Sequence, residues 1–148
     1  MKSKIEHVWS VLCEKSVIDS ETNNLSLTNI LEEIQISLKE KGIIDSSEKT
    51  VPINFELVTM WRKISKEEVK EPIRIEVVSP DGKIVQSADA QINLTKLLMR
   101  MRFRFRFNGI KVTIPGEYCF AVKLKEGNDY KEVGRTYLEV KIALQPNK

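Results

Sequence analysis

Residues 100–107 read Arg-Met-Arg-Phe-Arg-Phe-Arg-Phe, a stretch in which charged and apolar side chains alternate without a fault. Because successive side chains of a β-strand point to opposite faces, the alternation predicts a strand with four guanidinium groups on one face, roughly 6–7 Å apart. The apolar side chains are expected in the core. We name the charged residues the arginine row: Arg100, Arg102, Arg104 and Arg106. Guanidinium groups bind carboxylates and phosphates, so the row is the candidate site for an anion or a partner.

The basic charge of the chain is concentrated around this row. The 148 residues carry 24 Lys and Arg against 21 Asp and Glu, a net charge of only +3. Residues 90–116 contain six basic residues and no acid, which gives this segment +6 and leaves −3 for the rest of the chain. Since like charges on one strand face repel, something must compensate the arginine row.

Three kinds of compensation are open for the arginine row. Its residues can pair with acids on neighbouring strands, for which the candidates are Glu56, Glu76, Glu117 and Glu139. They can bind an acidic protein or an anionic membrane surface instead, or they can bind nucleic acid. Base stacking needs exposed rings, and the aromatic residues here lie on the opposite face, which argues against nucleic acid. Charges also protect a strongly β-prone strand from aggregation.

The same two-residue alternation recurs along most of the chain. It predicts strands over residues 8–13 (buried on both faces), 52–64, 73–78, 84–94, 118–124 and 136–144. Turns are expected at Ser79-Pro80-Asp81-Gly82, Asn108-Gly109, Pro115-Gly116 and residues 126–129, where Gly, Pro and Asn favour turn geometry. Residues 42–50 are expected to form a polar loop.

Residues 29–41 fit two kinds of element. A helix that begins at Asn29 and ends before Gly42 would bring apolar residues to one face at helical spacing. The alternation from Leu25 to Ile36, with β-branched residues near its end, favours a strand instead.

These patterns predict an all-β fold, a two-sheet antiparallel sandwich of immunoglobulin-like or C2-like layout. We expect seven to eight strands and at most one short helix. Parallel α/β architectures are excluded, because no helix separates the strands after residue 50. We expect one domain over residues 1–148, with a frayed tail at 145–148.

Candidate catalytic residues are few. The chain has one histidine, His7, and two cysteines, Cys13 and Cys119. This excludes zinc sites that need two histidines, and it excludes a disulfide-rich scaffold. On one strand His7 and Cys13 would lie about 20 Å apart, too far for His7 to activate the thiol. A pairing of His7 with Cys119 stays open, but a strand cysteine is typically a small core residue, so we predict no catalytic residue.

The turn that contains Asp19, Glu21 and Asn23 carries oxygen ligands of the kind that calcium prefers. Asp81 and Asp129 lie on other turns and could converge with it. Turns are rich in Asp and Asn for backbone reasons alone, so we expect no metal and no cofactor.

The N-terminal third has a distinctive order of residues. Its segments are Val8-Trp9-Ser10-Val11-Leu12-Cys13, Ile18-Asp19, Thr22-Asn23-Asn24-Leu25-Ser26-Leu27 and Glu32-Glu33-Ile34. This order resembles the opening of a family of small uncharacterised bacterial proteins, a domain of unknown function. The resemblance implies a bacterial, cytoplasmic, β-rich protein, and it brings no activity, cofactor or catalytic residue.

Together these observations predict an uncharacterised bacterial protein that acts as a non-catalytic binding or assembly module, with the arginine row as its anion- or partner-binding site. The expected partner is a protein or a second copy of the chain, and no small-molecule substrate is evident. No apolar run approaches about 18 residues, so no transmembrane segment is expected, and the location is expected to be cytoplasmic. Two alternatives stay open: an enzyme with an unrecognised site and a self-associating structural protein.

Overall fold

Eleven β-strands and no helix form within residues 4–39 and 49–145, the part of the chain that this computed structural model describes. The strands are β1 Ile5–Ile18, β2 Leu25–Ile30, β3 Glu33–Lys39, β4 Lys49–Val51, β5 Phe55–Lys63, β6 Val69–Val78, β7 Ile84–Leu94, β8 Arg100–Phe107, β9 Ile110–Val112, β10 Gly116–Glu126 and β11 Asp129–Gln145.

The strands form two main sheets that face each other. The first sheet has the order β2-β1-β5-β8 and the second the order β3-β11-β10-β6-β7, while β4 and β9 pair in a small sheet of their own. Leu57 and Trp61 of the first sheet share one buried core with Phe120 and Val122 of the second. The predicted all-β fold, a two-sheet sandwich, is confirmed.

The strand count exceeds the predicted seven to eight, partly because residues 25–39 form two strands. β2 pairs with β1, whereas β3 pairs with β11 of the opposite sheet, and this second pairing is parallel. The chain changes sheets at Leu31, whose N–H donates to the carbonyl of Leu12. Just before it, Asn29 adopts a positive φ of 52°, which Asn tolerates better than most residues. Strand rather than helix is confirmed here, and one parallel pair joins the antiparallel ones.

Several local predictions about strands and ends are corrected. The last two residues of the predicted polar loop over residues 42–50 belong to a strand, because Lys49–Val51 forms β4 and pairs with β9. Residues 42–48 of that loop lie outside the described residues, as do 146–148 of the tail. Gln145 is the last residue of β11 and not part of a frayed end. In β1, Leu12 is buried as expected, but Val8 is 48% exposed.

Two of the four predicted turns, those that contain Gly82 and Gly127, are confirmed by the backbone geometry, whereas Gly116 of the predicted turn at 115–116 is the first residue of β10. Gly82 has a φ of +86°, and its N–H donates to the carbonyl of Ser79 at 2.9 Å. Gly127 has a φ of +64° at the first central position of the two-residue loop between β10 and β11, as in a type II′ turn.

Candidate functional site

The arginine row lies on β8, the edge strand of the first sheet, which among the described strands pairs only with β5. Phe105, on the other face of β8, is buried in the core, and Met101, Phe103 and Phe107 pack against that core while remaining half-buried. The predicted division of this strand into a charged and an apolar face is confirmed.

The two central arginines bind the hairpin formed by β1 and β2. Arg102 Nη2 donates to the main-chain oxygen of Asn23 at 2.9 Å and to its Oδ1 at 3.2 Å. Arg104 Nη1 lies 3.2 Å from the Oγ of Ser16 and 3.5 Å from its main-chain oxygen. The hairpin therefore reaches over the charged face of β8, and its polar oxygens solvate the middle of the arginine row.

Ser16 connects Arg104 to a buried carboxylate. Its Oγ donates to Glu56 Oε1 at 2.7 Å, and its N–H donates to Glu56 Oε2 at 3.0 Å. Glu56 is only 7% exposed, and a buried charge needs such hydrogen bonds because it has lost most of its contact with water. One hydroxyl thus accepts from a cation and donates to an anion.

The acids that we named as direct partners of the arginine row do not pair with it. Glu56 binds Ser16, and Glu76 forms an ion pair with Lys123 of the second sheet. Glu117 and Glu139 lie opposite each other on β10 and β11, also in the second sheet. The prediction of ion pairs with these acids is therefore wrong: three of the four belong to the opposite sheet, and Glu56, which lies opposite Arg106 on β5, bonds to Ser16 instead.

The two ends of the row, Arg100 and Arg106, are exposed. Within residues 4–39 and 49–145, no hydrogen bond or ion pair engages either guanidinium group. The strand neighbour of Arg100 is another cation, Arg62, whose own partner is Glu6 at 2.6 Å. The structure leaves two unpaired positive charges about 20 Å apart along one rigid strand.

A cleft of about 500 Å³ opens beside Arg100 and Arg102, between the turn at residues 23–25 and the β7–β8 loop at residues 97–99. Lys63 holds this loop: it is 1% exposed, and its Nζ donates to the carbonyls of Thr95 at 2.7 Å and Lys96 at 3.1 Å. Leu97 at the loop tip is 93% exposed. The sequence analysis missed Lys63. This residue is an even number of positions from the core residues Leu57 and Trp61 of β5, so the alternation of the strand could have predicted that its side chain points inward.

His7 and the cysteines do not form a catalytic pair. His7 packs edge-on against Trp61, its Nε2 lies 2.5 Å from Ser10 Oγ, and burial lowers its pKa. Its ring contacts Gly134, whose cross-strand partner Val122 is three residues, roughly 10 Å, from Cys119. Burial raises the pKa of the Cys119 thiol, and likewise that of Cys13, which disfavours the reactive thiolate.

Asp19 stabilises the turn that follows β1. Its Oδ1 accepts the N–H groups of Glu21 at 2.8 Å and Thr22 at 2.9 Å, and these bonds lower the pKa of the carboxyl group. Asn23 supplies a positive φ of 60°. No cluster of three or more His, Cys, Asp or Glu suited to a metal ion occurs in the described part of the chain. The acid therefore organises the turn.

Comparison with known proteins finds distant structural similarities. The chain is similar to a β-glucosidase from Listeria innocua, with a TM-score of 0.47 and 15% identity over 78% of this chain and 15% of that one. It is similar to an immunoglobulin-like protein from Pseudomonas aeruginosa, with a TM-score of 0.39 and 14% identity over 95% of this chain and 94% of that one. The chain thus spans about 15% of the length of the β-glucosidase. No family model and no curated protein matches it.

Fold and site together define a β-sandwich with an arginine-bearing edge strand. No helix that could cross a membrane is found in residues 4–39 and 49–145. The resemblance of the N-terminal third to a family of uncharacterised bacterial proteins stays a prediction.

Proposed function

We propose that this chain is a non-catalytic binding module that recognises an acidic protein surface through Arg100 and Arg106, the exposed ends of the arginine row. The observation that carries the proposal is that neither guanidinium group has an anionic partner among the described residues. Both lie in an acid-free segment of net charge +6. Guanidinium groups on a rigid strand can accept carboxylates bidentately without rearrangement of the main chain.

The proposal gives the four arginines two roles. Arg102 and Arg104 hold the β1–β2 hairpin through Asn23 and Ser16, so their loss should lower the stability of the fold. Arg100 and Arg106 make no such contacts, so their loss should weaken binding while leaving stability within about 0.5 kcal/mol of the wild type.

The test is titration with poly-L-glutamate at low and high salt. The variant Arg100→Gln/Arg106→Gln should bind about tenfold more weakly, since each exposed ion pair is worth about 0.2–1 kcal/mol. The matched control, Lys70→Gln/Lys131→Gln, removes two exposed charges from the second sheet and should bind within twofold of the wild type. Raising the salt concentration should weaken binding of the wild type by screening.

Three results would contradict the proposal. Equal losses in both double variants would mean that net charge alone matters. Tighter binding of a DNA duplex than of poly-L-glutamate at the same ionic strength would assign the surface to nucleic acid. Tighter binding of vesicles that contain anionic lipid would assign it to a membrane.

The proposal also includes the bacterial, cytoplasmic origin that the family resemblance implies. It is supported by Cys13 and Cys119, which are both free thiols, as is typical of a reducing compartment. Fractionation of the native host should recover the protein with the cytoplasmic fraction, and recovery elsewhere would contradict this.

A further inference from the structure

The main chain of β8 offers hydrogen-bonding groups at the edge of the first sheet. Lys63 N–H donates to the carbonyl of Met99 at 2.8 Å, and Thr59 Oγ1 donates to that of Phe103 at 2.9 Å. The odd-numbered residues of this segment therefore direct their main chain toward β5. Because bonded and non-bonded pairs alternate in an antiparallel ladder, the N–H and C=O groups of the arginine row point to the free edge. No hydrogen bond reaches these groups from residues 4–39 and 49–145.

We propose that the acidic partner binds as an additional β-strand on this edge and that its carboxylates alternate with apolar side chains. This inference rests on the proposed function and names the partner class: an extended acidic segment of a protein. Residues directly opposite on neighbouring strands share a face, so an acid opposite Arg100 or Arg106 would pair with it through both main chain and side chain.

The other face of β8 favours apolar residues at the intervening positions. Phe105 is buried, but Met101, Phe103 and Phe107 are only half-buried at the sheet edge. Apolar side chains on an added strand would cover this remaining apolar surface, at roughly 25 cal/mol per Å² removed from water. Together, the charged and the apolar face of β8 favour a bound segment in which acidic and apolar residues alternate.

A second copy of the chain fits this edge poorly. Pairing of β8 with another β8 would set arginines against arginines, and like charges directly opposite each other on neighbouring strands are destabilising. Charge complementarity therefore selects an acidic strand as the occupant.

The first experiment compares two capped octapeptides of equal composition, one with four Glu alternating with four Val and one with four Glu followed by four Val. Titrated into the wild-type protein, the alternating peptide should bind at least tenfold more tightly, because only it presents all its carboxylates on one face of a strand. Equal affinities would overturn the proposed two-residue period.

The second experiment uses two N-methylated forms of the alternating peptide. In antiparallel addition the N–H groups that face β8 belong to the Glu residues, so methylation of the Glu nitrogens should weaken binding at least tenfold. Methylation of the Val nitrogens should then change it less than twofold. In parallel addition the main-chain bonds of each arginine go to the two residues on either side of the Glu directly opposite, and these are Val. Methylation of the Val nitrogens should then weaken binding, and methylation of the Glu nitrogens should change it little. Either split supports strand addition and gives its direction.

The remaining outcomes separate this inference from the proposed function. If both methylated peptides bind as well as the parent, and binding still requires Arg100 and Arg106, the proposed function stands and strand addition is overturned. Loss of binding by both peptides also contradicts strand addition, since only one set of amides can face β8. If no acidic peptide binds at all, the proposed function fails.

Discussion

The Ser16 hydroxyl joins the cation of Arg104 to the buried carboxylate of Glu56. Ser16→Ala would leave Glu56 with one donor fewer in a largely buried site. We expect the free energy of unfolding, measured in urea, to fall by about 1–3 kcal/mol. Ser87→Ala, at an exposed position of β7, is the control and should change it by less than about 0.5 kcal/mol. Equal effects would show that the network adds no stability.

The close approach of Gly134 to the ring of His7 allows no larger residue. A Cβ at this position would lie 2.8 Å from His7 Nδ1 and closer still to Cε1. We expect Gly134→Ala to lower the free energy of unfolding by about 1–3 kcal/mol through overpacking. The double variant His7→Ala/Gly134→Ala should lose less than the sum of the single variants, because the alanine at position 7 removes the clash. Additive losses would contradict this explanation.

His7 also makes stability depend on pH. Burial holds its pKa in the folded chain below the ordinary value of about 6.5, so the unfolded chain takes up the proton first as pH falls. The contribution of His7 to stability is therefore fully present above about pH 6.5 and declines below it. Urea titrations between pH 5 and 8 should show that the wild type loses more stability over the acidic part of this range than His7→Gln does. Parallel curves would contradict this assignment.

At the scale of elements, the β7–β8 loop depends on a buried cation. Lys63 donates to the carbonyls of Thr95 and Lys96, and the N–H of Leu98 closes the turn onto Thr95 at 3.2 Å. Lys63→Met keeps the length of the side chain but removes both bonds, each worth about 1.5–3 kcal/mol with a charged donor. Amide hydrogen exchange at Leu98 should become about tenfold faster or more. The amide of Phe120 in the core serves as the control, and an unchanged rate at Leu98 would contradict the anchoring role.

How far the sequence predicts an element depends on whether its signal is local. The alternation in residues 100–107 is local, and it correctly predicts both the strand and its two faces. The change of sheet at Leu31 is not local, because it depends on the conformation of Asn29 and on a bond to Leu12 in another strand. Composition could not indicate it.

The candidate site shows the same division between local and distant causes. The arginine row is visible in the sequence, but its partners are not, since the hairpin residues Ser16 and Asn23 lie more than 70 positions away along the chain. Charge alone predicts acids as the counterions of the arginine row. The structure instead uses main-chain and hydroxyl oxygens, which no count of charged residues reveals.

At the scale of the whole molecule, the distribution of charge matters more than its total. A net charge of +3 arises from a segment of +6 and a remainder of −3. Four of the six basic residues of this segment lie on the edge strand β8, where unpaired main-chain groups would otherwise pair with any extended chain. The same charges that would attract an acidic strand should therefore repel a second copy.

This balance gives a prediction for self-association. The variant Arg100→Thr/Arg106→Thr keeps the β propensity of β8 but removes the two unpaired charges from its edge. We expect its molar mass, measured by light scattering over a range of protein concentrations, to rise above that of the wild type because like-charge repulsion no longer opposes edge pairing. The control Lys70→Thr/Lys131→Thr changes the same number of charges away from this edge and should match the wild type. If both variants keep the wild-type molar mass at all concentrations, charge is not what keeps this edge unpaired.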